Sequence, residues 1–408
     1  MRATVPPIGN GDPLVQPADA GRTRGGARRL DSIDRLRGLM IALMVLDHVR
    51  DFFGTSSLHD PTDPDRSWPL LYATRWITHL CAPTFVLLAG VSIFLQARAG
   101  KTPAALSRFL LSRGAWLIVL ELTVVSFGFN FGEPFVFLQV IYAIGLSMIG
   151  MSLVARLPAP LVLALGVALV ATCPWAAAAS LGAVGLAGVS RTLLLAPGFL
   201  PGVPSLAMYP ALPWFGIMCL GFGLAPLFVR PDPARTRSLG ALALALLVTL
   251  VLLRTGNGFG DPSPWAERAE PVRSVMSYLN VSKYPPSPDY VLVTLGVALL
   301  VFLLLDRLRG PVARVLLDFG RTPLFTYILH IYVAHAAMLM LAVASGQTGA
   351  ALDVIAAQTS GAIQPLAWGY SLAGVYVAWL GVVAVLILPA RWWAGVKRRR
   401  RDWWLSYL

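Results

Sequence analysis

Five histidines occur in the 408 residues, at His48, His59, His79, His330 and His335, and all except His59 fall within or at the rim of apolar runs about 20 residues long. An ionisable side chain in hydrocarbon costs at least about 2.5–3.5 kcal/mol on insertion scales, so such a group ordinarily faces a cavity, a pathway or a partner. A hydrogen bond between helices is the plain alternative for any one of them, as pairing with a basic residue is for Glu121. The richest stretch runs from Ser32-Ile33-Asp34-Arg35-Leu36-Arg37-Gly38 to Asp47-His48-Val49-Arg50-Asp51. Arg37 and His48 are almost three helical turns apart, which puts them on one face and separates them by about 16 Å along the axis. Asp51 shares that face and is placed to orient the imidazole, whereas Asp47 points about 100° away. Ser32 and Asp34 read as helix initiation, a cap and a negative charge at the positive end of the helix. A second cluster, Tyr72, Arg75, Trp76 and His79, puts Arg75 and His79 one turn apart, and Tyr327 and His330 are neighbours in the same way.

The elements that hold these residues follow from composition. Hydrophobic residues make up 56% of the chain and charged residues 13%, where soluble proteins carry about 25% charged, and the mean hydropathy is +0.68. The apolar residues gather into runs long enough for a helix to cross a bilayer. A membrane β-barrel would show roughly ten-residue alternation instead. Apolar length and breaker residues predict ten spans, at 36–53, 71–97, 110–128, 134–154, 159–179, 208–229, 238–253, 289–306, 321–343 and 369–390. The expected fold is an all-α, polytopic membrane helical bundle with both ends cytoplasmic. Residues 1–28, rich in Gly, Pro and Arg, read as a disordered, uncleaved tail, and 29–408 as a single transmembrane domain. The Gly- and Pro-broken segment 181–207 suits a re-entrant or interfacial loop.

A net charge of +13 and a pI near 10.2 raise the question of a nucleic-acid surface, and the position of the charges answers it. With the N-terminus inside, alternate segments place 25 of the 33 Lys and Arg residues in the cytoplasm, as the positive-inside rule requires. The high pI is therefore mostly topology, and no nucleic-acid partner is expected. The C-terminal run of Arg, Lys and Trp from Arg391 to Trp404 reads as a topology anchor that also suits membrane lipid headgroups. Two long outward loops, 54–70 and 254–288, are placed to cover a site reached from outside. Cys81, Cys173 and Cys219 sit in or beside apolar runs without metal-like spacing, so neither a disulfide framework nor a metal site is expected.

Arg29, Ser32, Asp34, Arg37 and Gly38, followed ten residues later by His48, resemble the first helix of bacterial membrane proteins in the heparan-α-glucosaminide N-acetyltransferase catalytic-domain family. More distantly, the spacing of Asp34, Arg37, Gly38 and His48 is similar to the membrane acyltransferase type 3 family, where that histidine is taken as catalytic. Further matches are Asp60-Pro61-Thr62-Asp63, Arg75-Trp76-Ile77-Thr78-His79 with Cys81-Ala82-Pro83, Tyr284-Pro285-Pro286-Ser287, Gly320-Arg321-Thr322-Pro323-Leu324-Phe325 with His330, and the terminal Trp403-Trp404-Leu405-Ser406-Tyr407-Leu408.

The resemblance implies transfer of an acyl group, acetyl above all, from cytoplasmic acetyl-CoA or another acyl-CoA to a hydroxyl or amine of an extracytoplasmic glycan or lipid-linked acceptor. The setting would be a bacterial inner membrane, and a homodimer is compatible with it. Heparan-directed members carry Asn at the position of His48, and their proposed catalytic histidine aligns near His59, so His48, His59 and His79 all stay open as the base. His48 is the economical assignment, oriented by Asp51, with Arg75 or His79 as donor to the oxyanion. Arg37, Arg321 and His330 are the expected acyl-CoA contacts, with Arg108, Arg113 and Arg314 adding cations for the phosphates. No Ser or Cys nucleophile stands out, which favours direct transfer over an acyl-enzyme. The alternative is a transporter or flippase of an amphiphilic solute that uses the same buried groups as its pathway. Reporter fusions should find residue 270 outside and the C-terminus in the cytoplasm; the reverse at either point would overturn the span count.

Overall fold

The computed structural model describes residues 23–55, 60–131, 135–353, 368–400 and 402–407. The segments expected as spans are helical, and several begin where proline dictates. Pro69, Pro103, Pro271, Pro288, Pro311 and Pro323 each stand in the first turn of a helix, where the missing N–H costs nothing and φ is already set. Thr102 and Ser287 add N-caps, accepting from the amides of Ala105 and Tyr290.

Helix α1 (Thr23–Phe53) is the axle of the bundle. It touches α2 (Pro69–Thr78), α3 (Cys81–Arg98), α12 (Pro288–Arg307), α13 (Pro311–Arg321), α14 (Pro323–Ala344) and α15 (Leu372–Arg399). The remaining helices pack mainly in pairs: α4 (Pro103–Leu120) on α6 (Val140–Val154), α7 (Ala159–Ala179) on α9 (Ala211–Phe228), and α10 (Ala234–Gly256) on α12, while α3 also lies along α9. A π-helical turn, Glu121–Val125, joins α4 to α5 (Ser126–Asn130). Eight helical segments among the described residues are long and apolar enough to cross a membrane. The other two expected spans are also helical: α1, which is long but charged, and α6, which has only 15 residues.

The sequence reading needs three adjustments. Residues 136–138 of the fourth expected span are β1 (Val136–Leu138), which pairs parallel with β3 (Ser205–Ala207), itself antiparallel to β2 (Gly198–Phe199). The segment 181–207, expected as a re-entrant or interfacial loop, holds structure of its own, α8 (Gly185–Leu194) and two of these strands. Most of the expected tail lies outside the described residues, and α1 already begins at Thr23, so Ser32 and Asp34 are helix-interior residues and not its start. The Ser32 hydroxyl donates to Asp306 of α12, and Asp34 pairs with Arg37 at 3.0 Å.

The two long loops are tied to each other. Arg268 pairs with Asp65 at 2.8 Å and Arg273 donates to the Pro64 carbonyl. Within the second loop lies α11 (Pro271–Leu279), whose C-terminal carbonyls, with those of Ser263 and Asn280, accept from the buried Arg254.

Close approach of α1 and α13 depends on a reciprocal pair of glycines: Gly38 lies against the Leu316 carbonyl, and Gly320 against the Asp34 carbonyl. A Cβ at either position would overlap backbone, the reason small residues line such helix crossings. Gly38→Ala should therefore destabilise by about 1–3 kcal/mol or more through overpacking. Gly381→Ala, where the space is open, should be neutral or gain a few tenths from helix propensity. Apparent Tm values in detergent check the contrast.

Candidate functional site

One face of α1 carries Arg37, Ile41, Met44 and His48 at helical spacing, and it borders two cavities in turn. The first, about 340 Å³, is lined from α1 by Arg37, Ile41 and Met44, with Phe85, Ser92 and Gln96 from α3, Phe109 and Arg113 from α4, Ile141 and Met148 from α6, and Leu324 and Tyr327 from α14. The second, about 460 Å³, is lined by Asp47, His48, Arg50, Asp51 and Phe52 of α1, with Asp60, Arg75, Phe129, Gln139, Tyr209 and Tyr284 among its other walls. We call them the Arg37 cavity and the His48 cavity. Their chemistry differs: the first is apolar apart from a cationic end and a few hydroxyl and amide groups, and the second mixes carboxylates, guanidinium groups and aromatic rings.

Along α1 the step from Met44 to His48 leads from the first cavity to the second, and at this step, which we call the wall, His48 meets His330, which lines neither cavity. His48 Nδ1 lies 2.8 Å from His330 Nε2, with the rings stacked at 4.9 Å between centroids. Phe129 meets His48 edge-on at 5.2 Å, and Tyr327 meets His330 at 5.5 Å. Because Nδ1 of His48 is engaged, Nε2 is the nitrogen left for a ligand in the His48 cavity. Helices α1 and α14 run side by side here. Met44 and Tyr327 line the Arg37 cavity, and one turn further along the same two helices His48 meets His330.

Charge around the His48 cavity is paired. The Asp47 carboxylate holds Arg50 at 2.9 Å, Arg75 at 2.8 Å and the Thr78 hydroxyl at 2.8 Å, tying α1 to α2. Across the cavity the Tyr284 hydroxyl donates to Tyr209 at 3.4 Å, and Lys283 lies 4.9 Å from the Tyr284 ring centre. Burial opposes ionisation of Tyr284, yet the charges of Lys283 and Arg75 outweigh it and hold the phenol below its ordinary range. At the edge of the Arg37 cavity, Arg37 donates to the Leu88 carbonyl and to Ser92 while pairing with Asp34.

The family described as heparan-alpha-glucosaminide N-acetyltransferase, catalytic, matches residues 29–256, more than half of the chain. The chain belongs to this family. It is therefore a membrane protein of an acetyltransferase family, with the match covering Arg37, Asp47, His48 and Arg75 while Tyr284, Tyr327 and His330 lie beyond it. No curated protein matches the chain.

The structure gathers His48, Arg75 and Asp51 on one cavity and Arg37 and Arg113 on the other. Asp51 pairs with Arg50 at 2.6 Å, and the orienting contact to the His48 ring comes from His330, a residue the sequence reading had assigned to acyl-CoA. His79 lines neither cavity: it packs edge-on to Tyr290 at the junction of α2 and α3, and its carbonyl accepts from the Tyr290 hydroxyl at 2.9 Å. Arg321 also stands apart, paired with Asp31 at 2.9 Å, and Arg108 and Arg314 are exposed. His335 stacks between Phe131 and Phe52 with its Nδ1 on the Gly128 carbonyl. His59 lies outside the described residues. Glu121, fully buried, takes the amide of Tyr142 in the first turn of α6 at 2.8 Å, so a helix N-terminus and not a basic residue is its partner. The sequence reading missed Gln139 and Tyr209, which short strands bring to the His48 cavity without any local signal, and it placed Asp47 away from the site because α2 was not in view.

Proposed function

We propose that the protein transfers an acyl group, acetyl by family, from acyl-CoA in the Arg37 cavity to a hydroxyl or amine of a glycan or lipid-linked acceptor in the His48 cavity, with His48 as general base. The observation that carries this reading is the histidine contact in the wall between two cavities of different chemistry. In the orientation that the positive-inside rule favours, the Arg37 cavity faces the cytoplasm, where CoA resides. Arg37 and Arg113 then meet phosphates, for which guanidinium groups are suited. The pantetheine arm runs along the apolar stripe of Ile41 and Met44, about 16 Å from Arg37 to His48. The acyl group need not cross the membrane by itself, because the arm presents it at the wall.

On the far side, Phe129, Tyr209 and Tyr284 offer faces to a ring-shaped acceptor, and Asp51, Asp60 and Gln139 offer partners for its hydroxyls. The base role fixes the tautomers. His48 must be unprotonated at Nε2 to take the acceptor's proton, so its Nδ1–H donates to His330 Nε2. His330 thereby orients the base, the part that a carboxylate plays in other sites. Arg75, held by Asp47, keeps a positive charge at the wall of the acceptor cavity.

Labelled acetyl-CoA given to membranes should yield free CoA and labelled extracytoplasmic glycan or lipid. Solute uptake without CoA release would favour the transporter alternative. Two substitutions separate the parts. His48→Ala should leave CoA affinity nearly intact and lower turnover by roughly 100-fold or more, whereas Arg37→Ala should chiefly weaken CoA binding. A folded His48→Ala variant with normal turnover would refute the assignment of the base.

A further inference from the structure

We infer that Tyr327 is a further catalytic residue, its hydroxyl donating a hydrogen bond to the thioester carbonyl oxygen as negative charge develops there; the inference rests on the acyl-transfer reading above. Tyr327 is 5% exposed, yet its hydroxyl has no hydrogen-bond partner among the described residues. Buried hydroxyls are ordinarily paired, and an unpaired one calls for an explanation. Its position supplies one. The residue lines the Arg37 cavity, on the turn of α14 just before His330, and its ring lies 5.5 Å from that imidazole. The lining of the cavity includes Ile41, Met44, Val140 and Ile141, which offer no side-chain donor, and its other donors are Arg37, Ser92, Gln96 and Arg113. A carbonyl delivered through this cavity to His48 thus arrives beside the phenol.

The placement matches the polarity of the reaction. The nucleophile and its base lie on the His48 side of the wall, and the electrophile arrives from the Tyr327 side. As the acceptor's oxygen or nitrogen bonds to the acyl carbon, the carbonyl π pair moves onto oxygen, where the phenol O–H meets it. When the carbonyl re-forms, the carbon–sulfur bond breaks and its electron pair leaves on sulfur. The proton lost by the acceptor to His48 balances the one the thiolate gains, and Tyr327 donates throughout without giving up its own. Its contact strengthens as charge grows, so it acts on turnover more than on binding.

Tyr327→Phe removes only the oxygen and retains the ring. With acetyl-CoA as donor and glucosamine as the acceptor probe, turnover should fall by about 100–1,000-fold, while calorimetric affinity for CoA stays within about twofold. A second readout needs no turnover: the infrared carbonyl stretch of acetyl-CoA labelled with carbon-13 at C1 should lie lower when bound to the wild-type protein than when bound to Tyr327→Phe. Equal stretches in the two proteins, or variant turnover within about threefold of wild type, would overturn the inference. A shifted carbonyl in a wild-type protein that releases no CoA would remove the acyl-transfer reading and reduce Tyr327 to a binding contact.

Discussion

A helix that carries Asp34, Arg35, Arg37, Asp47, His48 and Arg50 into the middle of an apolar bundle must find partners for them, because unpaired charge in a low-dielectric interior is too costly to persist. Some of these partners lie on α1 itself and the others on α2, α3, α12 and α14, and the contacts between helices place those neighbours. Arg35 donates to the Leu305 carbonyl of α12 at 3.1 Å. Ser32 reaches Asp306 of the same helix, and Asp306 in turn holds the buried Arg235 of α10 at 2.8 Å. Arg37 bonds into α3, Asp47 gathers Arg75 and Thr78 from α2, and His48 meets His330 on α14. Apolar packing alone would leave helix rotation loosely specified inside lipid, where no hydrophobic force distinguishes one apolar face from another. The polar pairs remove that freedom.

The same pairing divides the site. Arg75 and Arg50 are drawn to Asp47, so the region around His48 is strongly charged yet internally balanced. Along the same helix, Ile41 and Met44 interpose almost two turns without an ionisable group before Arg37. A ligand with a charged head, an apolar or amide-bearing arm and a reactive tip fits the order of Arg37, Met44 and His48. A ligand with hydroxyls and a ring fits the other chamber. In the acyl-transfer reading proposed above, transfer between the two requires motion of the arm, not of the protein.

Some of the buried polar atoms without a partner belong to residues on or near this part of the bundle. The Tyr327 hydroxyl, Nδ1 of His330 and one oxygen of Glu121 have no hydrogen-bond partner among the described residues. The π-helical turn that begins at Glu121 is also there, carrying its carboxylate to the N-terminus of α6. Such turns and unpaired groups are tolerated where a site needs them more than the fold does. Away from the wall, Arg254 shows the opposite pattern, its guanidinium donating to four carbonyls of the second long loop and lying 3.9 Å from Asp289 at the start of α12.

Periodicity and composition suffice for the helical architecture because hydrocarbon imposes one rule on every span: the backbone must satisfy itself. Proline at the helix starts, the apolar runs and the distribution of Lys and Arg are local signals, and they located nearly every span. The common face of Arg37 and His48 was legible for the same reason, since it depends only on 3.6 residues per turn. Residues 136–138 and 181–207 were harder, because two or three residues of strand have no period to read. What the sequence could not state was partnership. Asp47 stands one residue before His48 and Asp51 three after it, on the histidine's own face, yet the arrival of Arg75 from α2 makes Asp47 the hub. His79 and His330 are both buried histidines in apolar runs, and only the rotation of α14 against α1 brings His330 to 2.8 Å from His48 while His79 packs on Tyr290. Local spacing sets the face on which a side chain stands, and helix packing sets what stands opposite, because that depends on contacts hundreds of residues apart.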